Sequence, residues 1–154
     1  MMKLSEFFEE KNIVPRLEAE DKTGVLEELA AAAASSDSSI DKDELVKVLV
    51  QRERLGTTGI GDGVAIPHGK LSGLDHPIVC FAKSDKDLDF ESMDGKPAYL
   101  FFLLVAPENS SGVHLQTLAR IARILKNSSL RRRLMESSSR SELYQAIVDA
   151  DEEA

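Results

Sequence analysis

"HPIVCFAKSDKDLDFESMDGKPAYLFFLLVA", residues 76–106, sets two apolar runs, HPIVCFAKS and AYLFFLLVA, on either side of a polar connection. Neither run alternates apolar with polar residues. A short, continuous run rich in Val, Ile, Phe and Tyr is what a strand shows when both of its faces are buried. Two central strands are therefore expected, and strands buried on both faces need helices above and below them. In the connection, Asp94-Gly95 marks a turn and Leu88 to Phe90 reads as a minor strand.

The flanks supply the helices. Upstream, LEAEDKTGVLEELAAAAA offers Asp21 and Thr23 as caps and repeats Val25, Leu26, Leu29 and Ala30 at helical spacing, which predicts a helix over 22–34. NIVPRL before it reads as a short strand that Pro15 confines to an edge or an end. After the short linker SSDSS, a second helix runs from Asp41 to about Glu53 on Leu45, Val48, Leu49 and Arg52. Downstream of Val113 the period becomes helical again. Leu115, Leu118, Ala119, Ala122 and Leu125 mark one face, and Ile121 and Ile124 widen it. SSLRRRLMESS and SRSELYQAIVDA complete the chain as two further helices behind serine caps. The order predicts an α/β fold: a single domain over residues 1–154, with a mixed sheet flanked by helices.

Composition narrows the function. The 154 residues suffice for one core, and 42% apolar with 30% charged residues is a globular balance with no stretch of roughly 18 apolar residues to span a membrane. MMKLSEFFEEKN has acids where a signal peptide has its apolar stretch, which predicts a cytoplasmic protein. Cys80 is the only cysteine, so no internal disulfide forms. A net charge of −8 argues against general nucleic-acid binding. Residues 114–140 nevertheless carry seven bases against one acid, a stretch read as a solvated helix face.

The chemistry gathers around GTTGIGDGVAIPHGK, residues 56–70. Its glycines match neither G-x-x-x-x-G-K-[ST] nor G-x-G-x-x-G leading into a helix, so no nucleotide cofactor is expected. GVAIPH reads as a short strand stopped by Pro67. His68, His76, His114 and Cys80 follow no familiar zinc spacing, and His76 reads as an exposed loop histidine. No metal site is expected, and no serine occupies a G-x-S-x-G elbow. His68 itself is left, held behind Pro67 and followed by Gly69, which carries no side chain to cover it. An imidazole so presented suits a nucleophile when its other ring nitrogen is hydrogen-bonded. His114 opens the helix HLQTLARIARIL on the line His114, Leu118, Ile121, Leu125, at an N-terminus that favours an anion. Arg52, on the last turn of the preceding helix, adds a guanidinium with fork geometry for phosphate.

At these residues the chain resembles the enzyme IIA domains of the fructose and mannitol class of the bacterial phosphoenolpyruvate-dependent phosphotransferase system. The resemblance covers essentially the whole chain and rests on RERLGTTGIGDGVAIPHGK and LFFLLVAPENSSGVHLQTLARIARIL. It implies that His68 is the phosphoryl acceptor, as a tele-phosphohistidine, that His114 supports it, and that Arg52 stabilises the phosphate. It further implies a histidine phosphocarrier protein as donor, and as acceptor either a regulatory protein target or a sugar-specific IIB protein. A free-standing chain with PHGK looks most like the nitrogen-regulatory type, with a sugar-transport component as the alternative. Thr57 and Thr58 are possible further donors, and the Thr57–Gly63 loop with the start of the His114 helix is the expected partner rim. A metal-dependent hydrolase is a third reading, which transfer from a phosphorylated carrier would separate from the other two.

Overall fold

The computed structural model describes residues 3–154. Strands β5 (Ile78–Leu88) and β6 (Ala98–Pro107) pair antiparallel in the middle of a six-stranded mixed sheet, with Phe81 opposite Phe102 and Cys80 opposite Leu103. Their apolar runs are continuous because each face meets its own core. Cys80, Ala82, Phe101, Leu103 and Val105 face one core; Val79, Phe81, Leu100, Phe102 and Leu104 face the other. Helices α1 (Lys22–Ser36) and α2 (Lys42–Leu55) close the first through Val25, Leu26, Leu29, Leu45 and Leu49. Helices α3 (Ser111–Leu125), α4 (Ser128–Glu136) and α5 (Arg140–Glu153) close the second through Ile121, Ile124, Leu130, Leu143 and Ile147. The predicted α/β architecture is present, as three layers.

Strand β1 (Ile13–Val14) lies parallel to β5 at one edge, where Pro15 ends it. The other side of β6 carries two short strands in series, β3 (Val64–Ala65) and β4 (His68–Leu71), both parallel to it. Strand β2 (Gly59–Gly61) pairs antiparallel with β3 at the far edge. Pro67 thus interrupts the ladder without stopping it. It lacks an N–H, but its carbonyl still accepts from Leu104 N at 3.1 Å, and pairing resumes with His68 opposite Leu104. The β2–β3 turn depends on Gly63, whose φ is +79° and whose added Cβ would lie 2.2 Å from the Tyr99 ring.

Other local expectations change. Leu88 belongs to the end of β5, paired with Ala98 after a register irregularity, and is no separate minor strand. Asp21 and Asp41 cap α1 and α2 as expected, and Ser139 caps α5 in a capping box with Glu142. Asn127, rather than a serine, caps α4 by accepting from Ser129 N and Leu130 N.

The inward face of α3 is rotated from the one the apolar pattern suggests. Leu115 and Ala119 face solvent, whereas His114, Thr117, Arg120, Ile121, Ile124 and Leu125 are buried. Arg120 turns inward because its Nε donates to the Asp151 carboxylate and its guanidinium donates again to Asp151 O at 2.7 Å. Leu4 N donates to the same carboxylate at 2.8 Å. The basic stretch is therefore not a solvated face throughout, since Arg131 and Arg140 also donate to the carbonyls of Leu125 and Ile13. Among the described residues, no helix is long and apolar enough to cross a membrane.

Candidate functional site

Parallel pairing with β6 decides where the β4 side chains go. His68 lies opposite Leu104, on the α3 side of the sheet; Gly69 lies opposite Val105, on the α2 side; Lys70 returns to the α3 side. The first three residues of the strand, His68, Gly69 and Lys70, line an open cavity of about 690 Å³ between α2 and the start of α3. From α2 come Val48, Gln51, Arg52 and Leu55, one stripe at helical spacing, and from α3 come Ser111, His114 and Leu115. His68, His114 and Arg52 thus share one cavity.

The tautomer of His68 is fixed by its own strand. Nδ1 lies 2.7 Å from the carbonyl oxygen of Ile66, and because a carbonyl only accepts, Nδ1 carries the proton and Nε2 keeps its lone pair. Burial pushes the His68 pKa below its ordinary 6.5. The bond to Ile66 opposes that shift, the Arg52 charge adds to it, and Glu53 opposes it. The His114 pKa is lowered as well, by burial first and then by His68 and Lys70. Two neutral imidazoles therefore stand together, ring centroids 5.4 Å apart and planes inclined by 55°.

His114 occupies the first turn of α3, and its Nδ1 is buried with no hydrogen-bond partner among the described residues. Ser110, at the N-cap, donates its hydroxyl to Pro107 O at 2.7 Å instead of capping the helix. The first backbone N–H groups of α3 therefore have no side-chain cap beside the cavity, at the positive end of a 15-residue helix. Arg52 donates one guanidinium N–H to Gly56 O at 2.9 Å, which ties it to the end of its own helix while it lines the cavity.

Several functional neighbours escape a sequence reading. Lys70 donates from Nζ to Ser111 Oγ at 3.0 Å; its signal was its place two residues after His68 on a strand. Glu53 accepts from Thr58 N at 3.0 Å, bonds the Thr58 hydroxyl and pairs with Lys22 Nζ at 3.1 Å, so it fastens the end of α2 to the glycine-rich loop. Thr57 donates its hydroxyl to Phe90 O at 3.1 Å. Both threonine hydroxyls hold the loop together and are not spare donors. The cavity lips are Leu55 and Leu115, 86% and 63% exposed, so α2 replaces the expected Thr57–Gly63 loop as one side of the rim.

The possible metal ligands are dispersed. Half-exposed His76 sits with Asp75 at 2.5 Å and Asp37 at 3.2 Å in a different depression. Cys80 is buried in the first core, its thiol pushed up to about 12 by desolvation. No group of three or more His, Cys, Asp or Glu side chains able to hold a metal ion occurs among the described residues.

Residues 6–150 match the family described as "Phosphoenolpyruvate-dependent sugar phosphotransferase system, EIIA 2". A "Nitrogen regulatory protein" of Bradyrhizobium diazoefficiens is 42% identical over 147 residues, covering 96% of this chain and 95% of that protein. A "PTS system fructose-specific EIIABC component" of Bacillus subtilis is 31% identical over 150 residues, which are 97% of this chain and 24% of that protein. Among solved structures, the nitrogen regulatory protein IIA-Ntr of Neisseria meningitidis superposes with a TM-score of 0.87 at 34% identity, covering 94% of this chain and 98% of that one.

Proposed function

Because this chain belongs to the EIIA 2 family of the phosphoenolpyruvate-dependent sugar phosphotransferase system, we propose that it is a phosphocarrier whose His68 Nε2 accepts a phosphoryl group from a histidine phosphocarrier protein. The observation that carries this reading is the bond from His68 Nδ1 to Ile66 O, which leaves the Nε2 lone pair as the nucleophile and makes the product a tele-phosphohistidine. In the transfer, the N–P bond of the donor phosphohistidine breaks and its electron pair returns to the donor imidazole. A new N–P bond forms at Nε2. Positive charge develops on the His68 ring, and the Ile66 carbonyl is in place to meet it at Nδ1.

Transfer between two imidazole nitrogens is nearly symmetric, so the site must align the reactants and stabilise the equatorial oxygens more than it must move protons. Arg52, His114 and the uncapped start of α3 line the cavity from two sides and supply those donors. The exposed side chains of Leu55 and Leu115 give the donor protein an apolar rim to dock on.

The phosphorylated chain then reports its state to a regulatory target in the cytoplasm. Support comes from the relative named a nitrogen regulatory protein, which this chain matches along nearly its whole length. A sugar-transport role, with onward transfer to a IIB protein, is the second reading, favoured by the fructose-specific relative. Incubation with phosphoenolpyruvate, enzyme I and the histidine phosphocarrier, followed by intact mass and acid-lability measurement, tests the proposal. One acid-labile phosphoryl group on the wild type and none on His68→Ala is expected. Phosphate on His76 or on a serine would overturn the site, and onward transfer of label to a IIB protein would replace the regulatory reading.

A further inference from the structure

Gly69 sits directly beneath α2. A Cβ built on it would lie 2.5 Å from Val48 Cγ1 and 3.7 Å from Leu49 Cδ2, and the former distance is shorter than side-chain carbons tolerate. Val48 cannot rotate cheaply out of the way, because a β-branched side chain in a helix has one strongly preferred χ1. A larger residue at 69 would therefore move the helix. Val48 and Arg52 are four residues apart on α2, on one face and one turn from each other, and both line the cavity that His68 lines. The glycine next to the histidine thus does not serve to uncover the imidazole. Its bare face points the other way, and what it admits is the helix.

We propose that the close contact of Gly69 with Val48 sets the position of Arg52 relative to His68 in their shared cavity, which makes Gly69 and Val48 positioning residues for the phosphoryl group. The proposal rests on His68 being the acceptor. Transfer needs the guanidinium within hydrogen-bond reach of oxygens whose position is fixed by Nε2. The strand and the helix that carry the two groups are registered against each other at this contact, one residue from His68 and one turn from Arg52. Opposing charges also meet here: Arg52 and Glu53 both act on the His68 ring, so a lifted α2 changes the field at the imidazole as well as the geometry.

The test is a bump-and-hole series on the full chain, with folding checked by circular dichroism and thermal melting. Gly69→Ala is expected to slow phosphoryl transfer by roughly 10- to 100-fold, in keeping with the effect of a misplacement near 1 Å. Val48→Ala in the Gly69→Ala background removes the obstructing methyl groups and is expected to restore most of the rate. In an Arg52→Ala background, Gly69→Ala is expected to add nothing further. The titration midpoint of His68, followed by NMR, should shift in Gly69→Ala and return in the double variant. Should Gly69→Ala not fold, Val48→Ala alone opens the same contact and is expected to slow transfer, with no further loss without Arg52. Full additivity with Arg52→Ala, or absence of rescue by Val48→Ala, would overturn the proposal. If the wild type takes no phosphate at His68, it is the phosphocarrier reading that fails, while the His68 midpoint across the series still reports on the spacing.

Discussion

His68 and His114 reach the same cavity from different elements, a strand and a helix start, and meet with their ring centroids 5.4 Å apart. Each is kept from charging chiefly by burial, and a proton on His68 further disfavours one on His114. A pair of neutral imidazoles suits the proposed transfer, in which one lone pair attacks and the other ring solvates the phosphoryl group.

The lowered pKa values give the stability a pH dependence. The unfolded histidines titrate near 6.5 and the folded ones lower, so between those values the unfolded chain binds more protons. The contribution of the two groups is complete above about 6.5 and is lost as the pH falls through that value toward the folded pKa values. Urea unfolding across this range is expected to show the decline, and His68→Gln with His114→Gln should flatten it. For the same reason the neutral form of His68, the one the proposed transfer requires, persists below the ordinary histidine range. Its NMR midpoint should rise in Arg52→Ala, which removes one of the forces that depress it.

His114→Ala is expected to leave the fold intact, since it removes a ring whose buried Nδ1 has no partner among the described residues. Transfer should slow on the order of 10²- to 10³-fold, the usual consequence of deleting one oriented donor to a developing oxyanion. Rapid-quench transfer from the phosphorylated carrier measures this, and an unchanged rate would reduce His114 to a structural residue.

Asp151→Ala should be among the most damaging changes far from the site. It leaves the Arg120 guanidinium, 8% exposed, without its counter-charge and strips Leu4 N of its acceptor. Breaking one side of such a buried pair costs about 3–5 kcal/mol, which denaturant midpoints resolve. Asp151→Asn, which keeps an acceptor oxygen, should lose less.

Two glycines separate backbone strain from steric exclusion. Gly63 and Gly73 have φ of +79° and +84°, but only Gly63 has a neighbour where a Cβ would go, the Tyr99 ring. Gly73→Ala is expected to cost about 1 kcal/mol from the left-handed backbone alone. Gly63→Ala should cost clearly more. Equal losses in thermal unfolding would mean that Tyr99 yields.

The core of this fold was open to inspection in the sequence because β5 and β6 are buried on both faces, and a two-sided strand cannot hide its composition. The helices followed from their caps and spacing. Much of what stayed hidden has one physical cause, partners distant along the chain. Arg120 reads as a surface base until Asp151, 31 residues later, neutralises it. Leu115 reads as core until α3 is rotated to bury Arg120 instead. Lys70 gains its role from Ser111, and Gly69 from Val48. His68 was legible for the opposite reason: it is oriented by Ile66, two positions away, so its presentation is written locally.

The Arg120–Asp151 pair also imposes an order of events on a chain synthesised from its N-terminus. The strand of His68 and its pairing partner β6 are complete once residue 107 has emerged, and the imidazole is oriented by its own segment. Helix α3 carries both His114 and Arg120, and that guanidinium meets the carboxylate it docks with only after residue 151 has been made. The strand that carries His68 is therefore made before the last contact that anchors the helix bearing His114. A nascent chain stalled between β6 and α5 would lack the Asp151 carboxylate that anchors α3.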